Sequence, residues 1–150
     1  MRTQKLIPMI FSLLLISAFS YAQEKISLVL IVDTDSITQE NISETCRFTD
    51  QAAGTSIIDY ITLVNIGDEI KWKADEAEGN TGKVKLEKFK HENGPKFFDK
   101  DSIPVSFGRI KGIIKNGAPN EIEKYSIVIK VKKSGGDWEE YIIDPKLKMN

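Results

Sequence analysis

The residues with the most chemistry in reach sit in a short acidic corner, Asp33-Thr-Asp-Ser36. Carboxylates at i and i+2 of an extended segment lie on one side of it. With the Thr34 carbonyl and the Ser36 hydroxyl, Asp33 and Asp35 offer oxygens to a hard cation such as Ca²⁺. Ca²⁺ takes about six to eight oxygens, so other loops must contribute. Asp50, Gln51 and Asp68 are the candidates for that role. The simpler account is that Asp33 and Asp35 end a strand and bond to their own backbone. A second kind of binding chemistry is aromatic. Trp138 follows Gly135-Gly136-Asp137 and is the candidate for an exposed ring on which a sugar would stack. Trp72, two residues after Ile70, is expected in the core.

Composition removes other chemistries. The chain holds one His (His91) and one Cys (Cys46), and beyond residue 22 a single Met, Met149. A blue-copper site needs two His and a Cys, so it cannot be built, and a Cys/His zinc site fails on the same count. There is no Gly-x-Ser-x-Gly elbow. His91 stands beside the Glu92-Asn-Gly94 turn and is expected at the surface, and Cys46 is expected as a buried, inert thiol. The Gly79-Asn-Thr-Gly82-Lys83 stretch is too short between its glycines for a phosphate loop, and Val84 stands where a hydroxyl would bind Mg²⁺. These counts favour a non-enzymatic protein.

The elements that must position the acidic corner begin after an apparent export signal. Arg2 and Lys5 precede an apolar run over residues 6–19, and Ser20-Tyr-Ala22 ends in small residues. This reads as a secretory signal peptide over residues 1–22, cleaved after Ala22, with a single domain over 23–150. The expected location is secreted or periplasmic, with no membrane span after cleavage. Without Arg2 and Lys5, 19 of the 21 basic residues face 22 acidic ones. That mildly acidic, mixed charge argues against nucleic acid as a partner. One cysteine allows no intrachain disulfide, so packing must stabilise the fold.

Residues 26–32, Ile-Ser-Leu-Val-Leu-Ile-Val, read as a strand buried on both faces that exits into the acidic corner. Residues 38–44 are polar and expected as loop. Cys46 and Phe48 alternate onto one face. Residues 56–66, rich in Ile, Val and Tyr, suggest a central strand. Ile70 and Trp72 face one way between Glu69, Lys71 and Lys73. Val84 and Leu86 face inward, and Phe89 then falls out of phase, which a bulge near residues 87–88 corrects. Gly108, Ile110, Gly112 and Ile114 share a face, and glycine at that period suggests close approach of another backbone or a bulge. Tyr125, Ile127, Ile129 and Val131 alternate inward, and Lys133-Ser-Gly-Gly-Asp137 turns the chain into a return strand over 138–143. About seven to nine short strands with Gly, Pro and Asn punctuation predict an all-β, antiparallel two-sheet sandwich, jelly-roll-like in character.

The order of these features resembles the PixA/AidA-type inclusion body protein family. The resemblance rests on Val29-Leu-Ile-Val-Asp-Thr-Asp-Ser-Ile37, Phe48-Thr-Asp-Gln51, Ile66-Gly-Asp-Glu-Ile-Lys-Trp-Lys73 and Tyr141-Ile-Ile-Asp-Pro145. Lys71 and Lys73 stand where that family has Arg, and Ile143 where it has Trp. The resemblance implies a β-sandwich without known catalytic residues. The expected function is a binding or accessory role outside the cytoplasm, with a carbohydrate or a protein as partner. The alternative is a lectin-like protein whose carbohydrate binding is assisted by Ca²⁺ at Asp33 and Asp35.

Overall fold

Strand β1 (Lys25–Val32) runs through the middle of a four-stranded sheet. The structure, a computed structural model, describes residues 23–150, so the signal peptide expected over 1–22 lies outside the described residues. On the inner face of β1, Leu28, Leu30 and Val32 are fully buried. Its outer face is only half covered, not buried as expected. There Val29 lies beside Lys73 and Ile31 beside Arg47.

Among the described residues the chain forms ten strands in two sheets. The first has the order β2 (Cys46–Phe48), β1, β4 (Glu69–Glu76), β7 (Ile110–Ile113). The second has the order β3 (Ile61–Val64), β10 (Lys146–Met149), β8 (Ile122–Lys132), β5 (Lys83–Asn93), β6 (Ser102–Pro104). β9 (Trp138–Ile143) also pairs with β8. β9 and β10 lie end to end along one side of β8 in a single register, with Ile143 opposite Ile127 and Lys146 opposite Lys124. Only Asp144-Pro145 interrupts them, where proline has no N–H for the ladder.

The all-β sandwich is the expected class, but its pairing is mixed. β1 and β4 run parallel from Lys25 opposite Glu69 to Val32 opposite Glu76, and β3 and β10 are also parallel. Parallel neighbours need a long crossover, and residues 33–68 supply it for β1 and β4. Between the sheets, Trp72 of β4 packs at 5.4 Å from Phe89 of β5 and at 5.7 Å from both Phe98 and Tyr125. The Trp72 indole N–H reaches the Tyr125 hydroxyl at 3.3 Å, so the one polar edge of this aromatic core is paired.

Three local expectations are corrected. Residues 56–66 are not a central strand. Ser56 Oγ accepts the Ile58 N–H at 3.3 Å and starts a 3₁₀ turn at Ile57–Asp59, leaving β3 as a four-residue edge. Its outward Ile61 and Leu63 are exposed, which is why β-branched composition misled. Residues 38–44 are not wholly loop: a helical turn α1 (Ile42–Thr45) buries Ile42. His91 is not a surface residue. The bulge between Leu86 and Lys88, as expected from the phase of Phe89, turns Phe89 and then His91 inward.

Candidate functional site

The acidic corner is built by two loops that bond to each other. At the end of β1, Thr34 is fully buried, and its N–H donates to Asn80 Oδ1 at 2.6 Å. The Asp35 carboxylate accepts the Thr81 N–H at 3.1 Å and the Gly82 N–H at 2.9 Å. These backbone N–H groups hold the Asp35 carboxyl below its ordinary value. Asp33 serves its own loop, where Oδ1 accepts the N–H groups of Asp35 and Ser36, both at 3.3 Å. The corner is therefore the strand stop that Asp-x-Asp chemistry allows, with an added role: it latches the exit of β1 to the turn between β4 and β5.

Gly82 makes that latch tight. A Cβ there would lie 2.6 Å from Thr34 Oγ1 and 2.9 Å from the Lys132 carbonyl oxygen, so only glycine lets the three segments meet. Lys132 pairs with Trp138 at the start of β9. The 33–36 corner, the 79–82 turn and the 133–138 hairpin thus share one end of the sandwich. Trp138 is 43% exposed there, with Lys85 Nζ 4.6 Å above its ring.

The other candidate oxygens are elsewhere. Asp68 is buried and accepts the Glu24 N–H at 3.0 Å and the Asn65 N–H at 2.7 Å. That places it at the start of β1, while Asp33 follows its end, roughly 30 Å away at strand rise. Asp50 lies past β2, about level with Leu28, and accepts the Tyr60 hydroxyl at 2.8 Å. Gln51 takes the Phe48 N–H at 3.2 Å and donates to the Thr55 carbonyl at 2.5 Å. The structure brings Asp33, Asp35 and Trp138 to one end and leaves Asp50, Gln51 and Asp68 outside it. Among the described residues no three His, Cys, Asp or Glu side chains form a metal-sized group.

Sequence reasoning missed one acid–imidazole pair. His91 Nδ1 lies 2.8 Å from Glu123 Oε1, and Glu123 Oε2 accepts the Phe97 N–H at 2.9 Å. The Glu123 side chain is fully buried and that of His91 only 12% exposed. Burial pushes the Glu123 carboxyl up, against the opposing pull of His91 and the Phe97 N–H. The available signal was the alternation of β8: Glu123 shares the inward phase of Tyr125 and Ile127. Cys46 is buried, and burial pushes its thiol up to about 12.

No protein-family model matches the chain, and no curated protein matches it. Among solved structures, an inclusion body protein, PixA, from Burkholderia cenocepacia superposes with a TM-score of 0.61 at 12% identity. The match covers 88% of this chain and 99% of that one. At this identity the likeness is one of fold, and it runs through almost the whole of the neighbour. The chain has the fold of the PixA inclusion body protein, as the order of its sequence motifs implies.

Proposed function

We propose that this chain is an exported, non-catalytic binding protein of the PixA/AidA type whose working surface is the loop end around Trp138. One observation carries the reading: Gly82 packs against Thr34 of the 33–36 corner and against Lys132, the residue that pairs with Trp138. An exposed indole next to a rigid, latched loop is what recognition of a sugar or a protein surface needs. Support for a non-catalytic role comes from the committed state of the ionisable groups. His91 is held by Glu123, Asp35 by the 81–82 backbone, and Asp50 by Tyr60. Export rests on the charge and apolar pattern of residues 1–22. A glycan array probed with the purified protein and with Trp138→Ala tests the surface. Signals that Trp138→Ala abolishes support it, and signals the variant leaves unchanged move recognition elsewhere.

The second reading is Ca²⁺-assisted carbohydrate binding at the same end. It is favoured by Asp33, whose Oδ1 has only two long backbone bonds and which shares that end with Trp138. Thermal unfolding with Ca²⁺ and with EDTA separates the readings. An ion specific for the native state raises the melting temperature, and superimposable curves leave the metal-free reading.

A further inference from the structure

Among the described residues, lysines without a carboxylate within 4.0 Å occur on both sheets, and Lys88, Lys124, Lys132 and Lys148 of the six-stranded one have none. On the six-stranded sheet, Lys85 and Lys130 both approach Glu87, at 3.7 Å and 3.6 Å, and Lys90 meets Glu92 at 3.0 Å. On the four-stranded sheet and its β7 border, Lys71, Lys73, Lys100, Lys111 and Lys115 have no carboxylate within 4.0 Å among the described residues. Lys71 and Lys111 are directly opposite each other across β4 and β7, an arrangement that costs stability unless an anion relieves it.

Three of these lysines, Lys100, Lys111 and Lys115, rim a groove of about 330 Å³ at the open side of β7. Its apolar lining is Phe98, Ile103 and Ile113, of which Phe98 and Ile103 are buried and Ile113 is exposed, and Glu69 is the single carboxylate among its lining residues. Gly112 forms the base. A Cβ there would fall 2.5 Å from Phe98 Cδ1, so the ring packs directly on the β7 backbone. β7 is an edge strand. Ile114 exchanges bonds with Asp68 and Gly67, at 2.9 Å and 2.8 Å. By the alternation of an antiparallel ladder, the N–H groups of Lys111 and Ile113 then point away from β4, to the unpaired side.

We propose that this groove binds a small organic monocarboxylate with an apolar body. The anionic head is held by Lys111, Lys115 and Lys100, and the body lies against Ile113, the exposed apolar side chain of a lining that Phe98 and Ile103 complete. Apolar wall and cationic rim together select this class: an inorganic anion leaves the wall bare, and a neutral apolar molecule leaves the lysines unpaired. The site borders the start of β4, whereas the Trp138 end lies past its finish, so this proposal stands apart from the one above.

An amide NMR titration of the purified protein with hexanoate tests it, with hexan-1-ol and acetate as controls. Saturable shifts over residues 98–103 and 110–115 are expected with hexanoate. Acetate, hexan-1-ol, and hexanoate against the Lys111→Gln/Lys115→Gln variant should each bind about five-fold or more weakly. Both lysines are exposed and Lys111 faces Lys71, so the variant should melt no lower than the parent protein. Three results overturn the proposal: no saturable shifts, shifts centred outside the groove, or equal affinity for hexan-1-ol or for the double variant.

Discussion

Glu123 and His91 form a buried acid–imidazole pair, 2.8 Å apart, whose second carboxylate oxygen anchors the Phe97 N–H. The pair ties the end of β5 to the start of β8 and to the loop that delivers Phe97 and Phe98 to the core.

This pair gives the protein a specific pH response. The native Glu123 carboxyl is raised above its ordinary value of 4.5, chiefly by burial. The protonated form is therefore the better bound by the fold. Its contribution is complete below pH 4.5 and is lost as pH rises through the raised native value. Glu123→Gln removes that component. The melting temperature of the parent protein minus that of Glu123→Gln should fall between pH 4 and neutrality. A flat difference across that range refutes the assignment. His91→Ala removes one of the two partners of the buried carboxyl and should cost about 1–3 kcal/mol by denaturant unfolding near pH 7.

The two tryptophans should behave as opposites. Trp72 is enclosed by Phe89, Phe98 and Tyr125, whereas Trp138 is open to solvent. Acrylamide should quench only part of the native fluorescence and all of it after unfolding. Trp138→Phe should remove the accessible part while shifting stability by no more than about 0.5 kcal/mol. Full quenching of the native protein would contradict the burial of Trp72.

How much of this was legible in the sequence follows from where each signal is local. Alternation of Ile70 with Trp72, the phase slip at Phe89, and the Gly135-Gly136 turn are decided by nearest neighbours, and each was readable. The parallel pairing of β1 with β4 was not, because a 36-residue crossover leaves no mark on either strand. The β-branched stretch at 56–66 carries the composition of a central strand, yet Ser56 capping and the edge position of β3 override it. At the candidate site, the spacing of Asp33 and Asp35 fits both a strand stop and a cation site. The partner of Asp35, the Thr81–Gly82 backbone, is 46 residues away and visible only in three dimensions.

Cys46 should report on opening of the fold. It is buried on β2, opposite Val32 of β1, and its thiol is raised to about 12 by burial. The neutral thiol is favoured in the native state, so its contribution is present below the ordinary value of 9.0 and is lost as pH rises through about 12. A disulfide reagent at pH 8 should label the native chain only as fast as it opens, and labelling should accelerate with denaturant. Immediate labelling of the folded protein would contradict this burial.

The latch between the acidic corner and the 79–82 turn makes the last prediction. Asp35 is lowered below its ordinary 3.8 by the Thr81 and Gly82 N–H groups, so its contribution is present above 3.8 and lost as pH falls through the lower native value. Asp35→Asn should melt below the parent protein at pH 7, and the two should converge in strong acid. Gly82→Ala drives a methyl group into Thr34 and the Lys132 carbonyl and should cost about 1–3 kcal/mol by denaturant unfolding. Because Asp35 accepts the Gly82 N–H, the two substitutions weaken the same joint. The double variant should therefore lose less than the sum of the single losses, and strict additivity would mean that corner and turn are not one unit.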